Sequence, residues 1–353
     1  MIPLMERRLK KYNLSLLACL LLLPVLLHAD DHLHMAQKTV TKKLTIAKGV
    51  QLSLNNQFGN MVIQSWKQKL AMVQITITGK SAKLKRANDL VRLINIKSNN
   101  TPGILSLQTI IDTQKQHFDP LVGEQCHVNY VVFVPRGLKL SVTNRFGNIR
   151  VKSFDGELTV DEKFGDLKIE NLSGQVNVDL EQGNVDVDRL SGGSLKFKGF
   201  NTVRIGALSG TVDAKLWSGG RVDLGLTGDL QKLNINADNV KPLNITNLKP
   251  ANADVRIHSM VSKIIYNGHI MLSLSLNPDK GKLNLNNYEK PPKADSVFIT
   301  GKGDTTQKSK LTLLDMKKIS ITAMKSQDFT IKTGTATTDI KIDASFSVVN
   351  VKD

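Results

Sequence analysis

The stretch NRFGNIRVKSFDGELTVDEKFGDLKIENLSGQVNVDLEQGNVDV, residues 144–187, repeats its own pattern every 18 residues. Gly156, Gly174, Gly192, Gly210 and Gly228 keep that interval without a slip, and an apolar side chain stands two residues before each: Phe154, Leu172, Leu190, Leu208 and Leu226. Gly147, Gly165, Gly183 and Gly219 form a second series half a period away, with Asn201 in the missing slot. Between the glycines lie short alternating runs, and their apolar members also align. Ile149, Leu167, Val185 and Val203 make one column, Val151, Ile169, Val187 and Ile205 another. Leu140, Leu158 and Val176, with Val142, Val160 and Val178, occupy the opposite half-turn. Fixed self-similarity at this period marks a stacked repeat in which each unit buries its apolar face only against its neighbours. The fold predicted is all-β, a parallel β-solenoid (β-helix) with about 18 residues per rung. Each rung holds two strands and two turns, and successive rungs are about 4.8 Å apart. The glycines mark corners that need a positive φ or a close backbone approach.

Working outward, the solenoid is expected over 136–353, regular to about 248 and less regular after it. Beyond Gly228 the period loosens, while alternating runs such as LNINA, DVRIH, KIIYN, KLNLN and SVFIT continue almost to Asp353. The Pro-rich EKPPKADS (Glu289 to Ser296) reads as a boundary or longer loop. One rung is irregular: Leu195 and Phe197 fall one step from the apolar columns, and the doubled Gly192-Gly193 suggests a bulge there. Phe200-Asn201-Thr202 then restores the register.

Residues 30–135 read as an N-terminal β-rich region with one short helix. KLTIA, VQLSL, NQFGNMVIQSW and MVQITITG alternate apolar with polar residues, the period of half-buried strands. Ala82 to Ile94 departs from that habit. Leu84, Ala87, Leu90, Val91 and Ile94 recur at helical spacing with Lys and Arg opposite, so an amphipathic helix is expected to lay its apolar face on a sheet.

Residues 1–29 read as a signal peptide: a basic start (MIPLMERRLKKYN), an apolar run from Leu14 to Leu27, and Ala29 before the acidic pair Asp30-Asp31. Leu16-Leu17-Ala18-Cys19 leaves lipidation at Cys19 open. Membrane association is expected only through this segment, if it stays uncleaved or is lipidated. Cys126 is then the sole remaining cysteine, so no internal disulfide is available and stability must come from stacking. The chain carries +17, of which residues 1–29 (Arg7, Arg8, Lys10, Lys11 against Glu6) hold +3, leaving +14. Such a surface suits anionic partners or simply keeps exposed strands soluble. With four Tyr and two Trp, the interleaved aromatics of single-strand nucleic-acid binding are missing, and no nucleic acid is expected.

No catalytic, cofactor-binding or metal-binding residues are assigned, and no P-loop, G-x-S-x-G or H-E-x-x-H phrase occurs. Stacked charges at 18-residue intervals are expected to fix register. Arg150, Lys168, Asp186 and Arg204 form one column, Lys152, Glu170 and Asp188 another, with pairs Lys168/Asp186, Asp186/Arg204 and Lys152/Glu170. Asp161 and Asp179 stack as like charges, a pattern that suits a cation or acid pair, with Lys163 and Lys168 near enough to neutralise them. One phrase recurs as Asn56-Gln57-Phe58-Gly59-Asn60, Asn144-Arg145-Phe146-Gly147-Asn148 and Glu162-Lys163-Phe164-Gly165-Asp166. It reads as a corner: Phe packs, Gly turns, and Asn or Asp accepts local backbone bonds. The functional alternative makes Phe an exposed aromatic for glycan stacking.

These N-R-F-G-N-I-R-V and E-K-F-G-D-L-K-I phrases, the Leu-Ser-Gly spacers, the strand from Val128 to Pro135 and the export signal resemble a known family. It is the putative-adhesin β-solenoid family of exported bacterial proteins, common in Bacteroidota and largely uncharacterised. The resemblance covers roughly Leu44 to Leu248. It implies a cell-envelope protein, with adhesion as the family's label and no catalytic residues to carry over. The expected function is an exported, non-enzymatic envelope protein in the periplasm or at the cell surface, an adhesin or scaffold presenting a repetitive basic surface. Its partner would be an anionic glycan, another envelope polymer or an envelope protein. The alternatives are a periplasmic partner of an envelope signalling system and a polysaccharide-active β-helix enzyme.

Overall fold

The computed structural model describes residues 33–112, 124–247 and 253–260, and beyond these a series of strands between Lys263 and Val351. Residues 1–32, with Cys19 and the segment read as a signal peptide, residues 113–123 and most of the Glu289–Ser296 stretch lie outside the described residues. Among the described residues no helix is long and apolar enough to cross a membrane. The fold is a parallel β-solenoid, with one short helix among the described residues.

The chain falls into two compact units. The larger comprises residues 38–77, 94–112 and 127–353 and holds the solenoid. Its register follows the sequence columns residue for residue. Leu167 pairs with Ile149 on one side and Val185 on the other, and Val185 pairs with Val203. On the other half-turn Leu140 pairs with Leu158, and Leu158 with Val176. All of these side chains are buried. Each contributes about 1.5–3 kcal/mol by leaving water, so the ladders supply stability rung by rung.

The parallel pairing reaches back across residue 136. Gln51–Gln57 pairs with Leu138–Arg145 from Gln51↔Lys139 to Gln57↔Arg145, and Met61–Trp66 pairs with the start of Ile149–Lys163. The rung at 51–66 is therefore a full member of the stack. Beyond it lie Ile104–Ile111, parallel to Gln51–Gln57, and Gln125–Pro135, parallel to Met61–Trp66. The antiparallel partner of Ile104–Ile111 is Ile94–Thr101, a polar strand (INIKSNNT) exposed along most of its length. Polar side chains there discourage a further strand from adding to the edge.

The irregular rung is a shortened half-turn rather than an inserted residue. Val176 pairs with Gly193, Val178 with Leu195 and Leu180 with Phe197, a step of 17. Leu195 and Phe197 thus point inward in register. The lost residue is regained at the next corner, where Gly199 takes a left-handed conformation (φ 66°) and Phe200 turns into the core. Its ring meets Phe197 edge-on at 6.4 Å and fills the space in which a side chain on Gly219 would stand. Further along, steps lengthen, as in Val222↔Leu243 and Leu233↔Val255, which is why the periodicity fades from the sequence there.

Of the described residues, the smaller unit comprises 33–37, 78–93 and 124–126. Its helix runs from Leu84 to Arg92 and buries Ala87, Leu90 and Val91. Gly79 leaves the space for it: a Cβ there would overlap the Ala87 carbonyl. The helix is shorter than the sequence pattern. Leu84 is half-exposed at its first turn, and Ile94 already belongs to the following strand. Arg86 clasps the buried Glu124, Nη2 to Oε2 at 2.8 Å.

Candidate binding surface

The recurrent corner phrase resolves into four parallel ladders, one for each of its fixed positions and their neighbours. The third position carries the unusual backbone. Phe58, Phe146 and Phe164 have φ of 58°, 59° and 61°, left-handed values that cost a bulky L-residue about 1–2 kcal/mol. The glycine that follows is not the turn residue predicted from sequence. Gly59, Gly147, Gly165 and Gly183 are required because the rungs press together there. A Cβ on Gly147 would overlap the Gly59 carbonyl oxygen, one on Gly165 that of Gly147, and one on Gly183 that of Gly165.

The last position also acts between rungs, not locally. Asn60 Oδ1 accepts from the backbone N–H of Asn148 (2.9 Å), Asn148 Oδ1 from Asp166 (2.9 Å), and Asp166 Oδ1 from Asn184 (2.8 Å). Asn184 Oδ1 accepts from the Thr202 hydroxyl at 2.8 Å. The first position lies inside. Asn56, Asn144 and Glu162 are fully buried and form a polar thread with Thr109 and Tyr130. Asn56 Nδ2 donates to the Val128 carbonyl (2.8 Å) and to Asn144 Oδ1 (3.2 Å), and Asn144 Nδ2 to the Glu162 carboxyl (3.2 Å). The Thr109 hydroxyl donates to Asn56 Oδ1 at 2.9 Å and lies 2.9 Å from the Tyr130 hydroxyl, whose pKa burial pushes up to about 12. The thread stops at Glu162, because Leu180 stands opposite it on the next rung. Glu162 Oε1 has no partner, and burial pushes its pKa up to about 8, so the side chain is protonated at neutral pH.

The phenylalanine rings stack outside. Phe58 and Phe146 lie 5.2 Å apart at 9°, Phe146 and Phe164 5.1 Å apart at 5°. Phe146 is 50% exposed and Phe164 47%. The stacking, worth about 0.5–1.5 kcal/mol per pair, offsets part of the backbone cost. It also changes the functional reading. The two stacks cover four of the six ring faces, both of them at Phe146, so the ladder shows solvent largely its ring edges, which carry the positive end of the aromatic quadrupole. Glycan stacking on the ring faces is therefore not what the geometry favours. Beside the ladder runs the column Gln57, Arg145, Lys163 and Glu181. Lys163 pairs with Glu181 at 3.3 Å, while Arg145 is exposed and has no ion-pair partner among the described residues.

The same corner slot is occupied elsewhere by Gln182, Gly199, Ser218 and Asn239, all at positive φ. The backbone turn thus forms without an aromatic ring. Two exposed phenylalanines, Phe146 and Phe164, stacked on the half-buried Phe58, are more than the corner conformation needs.

The charged columns pair partly as expected. Lys168 reaches Asp186 at 3.3 Å, and Arg204 reaches Asp186 at 2.7 Å and Asp188 at 3.5 Å. Glu170 takes Arg150 (Nε–Oε1 2.8 Å) rather than Lys152, because the longer guanidinium fork spans the diagonal. Asp161 and Asp179 are paired in register. They line a shallow groove with Thr159, Asn177, Ser194 and Lys196, whose ammonium is 4.0 Å from Asp179. Lys163 and Lys168 are engaged with Glu181 and Asp186 instead of neutralising them. No group of three or more His, Cys, Asp or Glu side chains suited to a metal occurs among the described residues. Cys126 is half-buried, and burial raises its thiol to about 11, far from a reactive thiolate.

No family model matches the sequence, and no curated protein does. Solved structures similar to it include three from bacteria. One is described as a putative cell adhesion protein from Clostridium sporogenes, at 13% identity and TM-score 0.26, covering 72% of this chain and 100% of that one. The others are described as putative adhesins. That from Bacteroides fragilis has 14% identity and TM-score 0.21, covering 89% and 97% of the two chains. That from Parabacteroides merdae has 12% identity and TM-score 0.25, covering 90% and 97%. The label these neighbours carry is that of the family the corner phrases resemble.

Proposed function

We propose that the chain is an exported, non-enzymatic adhesion or scaffold module of the bacterial envelope, and that the phenylalanine corner is its contact surface for an anionic envelope polymer. One observation carries the reading: Phe146 and Phe164 stand exposed, in a stack with the half-buried Phe58, at a slot that Gln182 and Ser218 fill without aromatic help. Exposed aromatics that the backbone does not require are candidates for recognition. Ring edges beside the free guanidinium of Arg145 favour carboxylate, sulfate or phosphate groups on the partner. Export is supported by the basic and apolar segments of the first 29 residues, and the adhesin label of the similar structures agrees with the use proposed here.

The test replaces both rings with the residue the fold already accepts in that slot. Phe146→Gln with Phe164→Gln should keep the fold, lowering the thermal midpoint by no more than about 10 °C for the two lost ring stacks, and weaken binding to isolated envelope polymers about tenfold or more. Arg145→Gln should add to the loss. Binding that matches a charge-matched control protein, or that is unchanged in the double variant, would remove the corner from the mechanism. Protease treatment of intact and permeabilised cells, read with antibody against the repeat, separates surface from periplasm.

A further inference from the structure

The opposite corner of the rungs carries a second feature. A cleft of about 450 Å³ opens there, within the size range of small-molecule sites, lined among others by Ser65, Arg136, Ser153, Asp155, Asn171 and Arg189. Ser153 pairs in register with Asn171, and Arg189 follows 18 residues on, so three polar side chains from successive rungs form its wall. Arg189 is exposed and has no ion pair among the described residues, and its neighbour on the next rung is Ala207, which offers no countercharge. Arg136 lies 3.6 Å from Asp155, through Oδ2.

Two buried polar atoms in this cleft have no hydrogen-bond partner: Ser65 Oγ and Asp155 Oδ1. Buried polar atoms are nearly always satisfied, so two orphans at one cleft wall mark it as the place where a small side-chain rotation lets water or a bound molecule supply the missing hydrogen bonds. The chemistry of a bound molecule follows from what is unmet. Asp155 Oδ1 needs a donor and repels a bare anion. Arg189 needs an acceptor, best a planar carboxylate that its fork can hold in two places. Ser65, Ser153 and Asn171 both donate and accept. A ligand satisfying all of them carries hydroxyl groups and an acid group on one small frame.

We infer that this cleft is a binding site for a sugar acid, a uronate residue of an acidic glycan, with its carboxylate on Arg189 and ring hydroxyls on Asp155 and the Ser153–Asn171 wall. The site deepens the proposed binding of an anionic polymer, and rests on that reading only for the source of the sugar.

Calorimetric titration of the full chain with trigalacturonate tests it, with galactotriose and inorganic sulfate as the neutral and non-sugar arms. Trigalacturonate should bind with a dissociation constant of about 1 mM or tighter, and Arg189→Gln should weaken it about tenfold or more. Asp155→Ala should weaken it as well, since the ring hydroxyls then lose their acceptor. Equal binding of galactotriose would overturn the acid assignment, and equal binding of sulfate the sugar assignment. No binding of trigalacturonate, or unchanged binding in Arg189→Gln, would overturn the site itself. The Phe146→Gln, Phe164→Gln double variant should bind trigalacturonate normally, so a failure of the phenylalanine corner is read separately from a failure of the cleft.

Discussion

Gly165→Ala should destabilise the solenoid by about 4 kcal/mol or more, among the largest effects of any single methyl group in the chain. Gly165 does not adopt a left-handed φ, so the cost does not come from backbone strain. It comes from position. The added Cβ would overlap the Gly147 carbonyl oxygen, a backbone atom that cannot rotate away, and would press on Glu162 Oε1. Relief requires the two rungs to separate. Separation stretches the bonds that join these two rungs at the corner: Phe146 N–H to the Lys163 carbonyl (3.0 Å), Ile149 N–H to that of Asp166 (2.9 Å), and Asp166 N–H to Asn148 Oδ1 (2.9 Å). Gly103→Ala supplies the comparison. Gly103 has φ 81° with nothing within 4 Å of a Cβ, so that variant should lose only the conformational cost, about 1–2 kcal/mol. Urea unfolding of the two variants side by side checks the difference. Similar losses would show that rung contact at Gly165 is not what limits the stack.

Glu162→Gln should stabilise the protein, and by an amount that depends on pH. The carboxyl titrates at about 8 when folded, against 4.5 when free, because burial disfavours its charge. Its folded pKa is raised, so the contribution it makes as a neutral acid is fully present below about 4.5 and is lost as pH rises through 8. Between those values the unfolded chain carries the charge and the folded chain does not, and stability falls with rising pH. At about 1.4 kcal/mol per unit, the cost at pH 7 is about 3 kcal/mol, rising towards about 5 above pH 9. A glutamine keeps an acceptor for Asn144 Nδ2 and removes the titration. The variant and parent should match near pH 4.5 and diverge steadily to pH 8. Parallel stability curves across that range would mean that Glu162 is ionised in the folded protein.

Much of the solenoid is legible in the sequence because its signal is arithmetic. Columns such as Leu167, Val185 and Val203 need only a constant step, and the structure pairs them as the step requires. The rung at 51–66 is harder to see as part of the stack. Its register partner Leu138–Arg145 lies 88 residues further on, and the intervening chain supplies the helix and the end strands. The repeated N-x-F-G-N phrase at Asn56 is the sequence signal that ties this rung to the repeat, yet residues 30–135 read as a separate region and only the pairing with Leu138–Arg145 joins them. Conformational detail stayed hidden for a different reason. Phe-Gly in a turn reads as a glycine with positive φ, yet at this corner crowding by the rung below claims the glycine, and the turn falls to the phenylalanine. The cleft was invisible altogether. Ser65, Asp155 and Arg189 come from different rungs, and the space between them depends on which side chains leave their polar atoms unmet.

The Asn60–Asn148–Asp166–Asn184 ladder points one way, each rung's amide hanging on a side chain of the rung before it. Under tension applied along the stack, such a chain has no single clasp to fail. Load passes from corner to corner, and the rung at the end gives way first, paying out about 60 Å of slack from its 18 residues before the next one bears the pull. An attachment made through this protein would thus yield in small, repeatable increments, lengthening under strain instead of snapping.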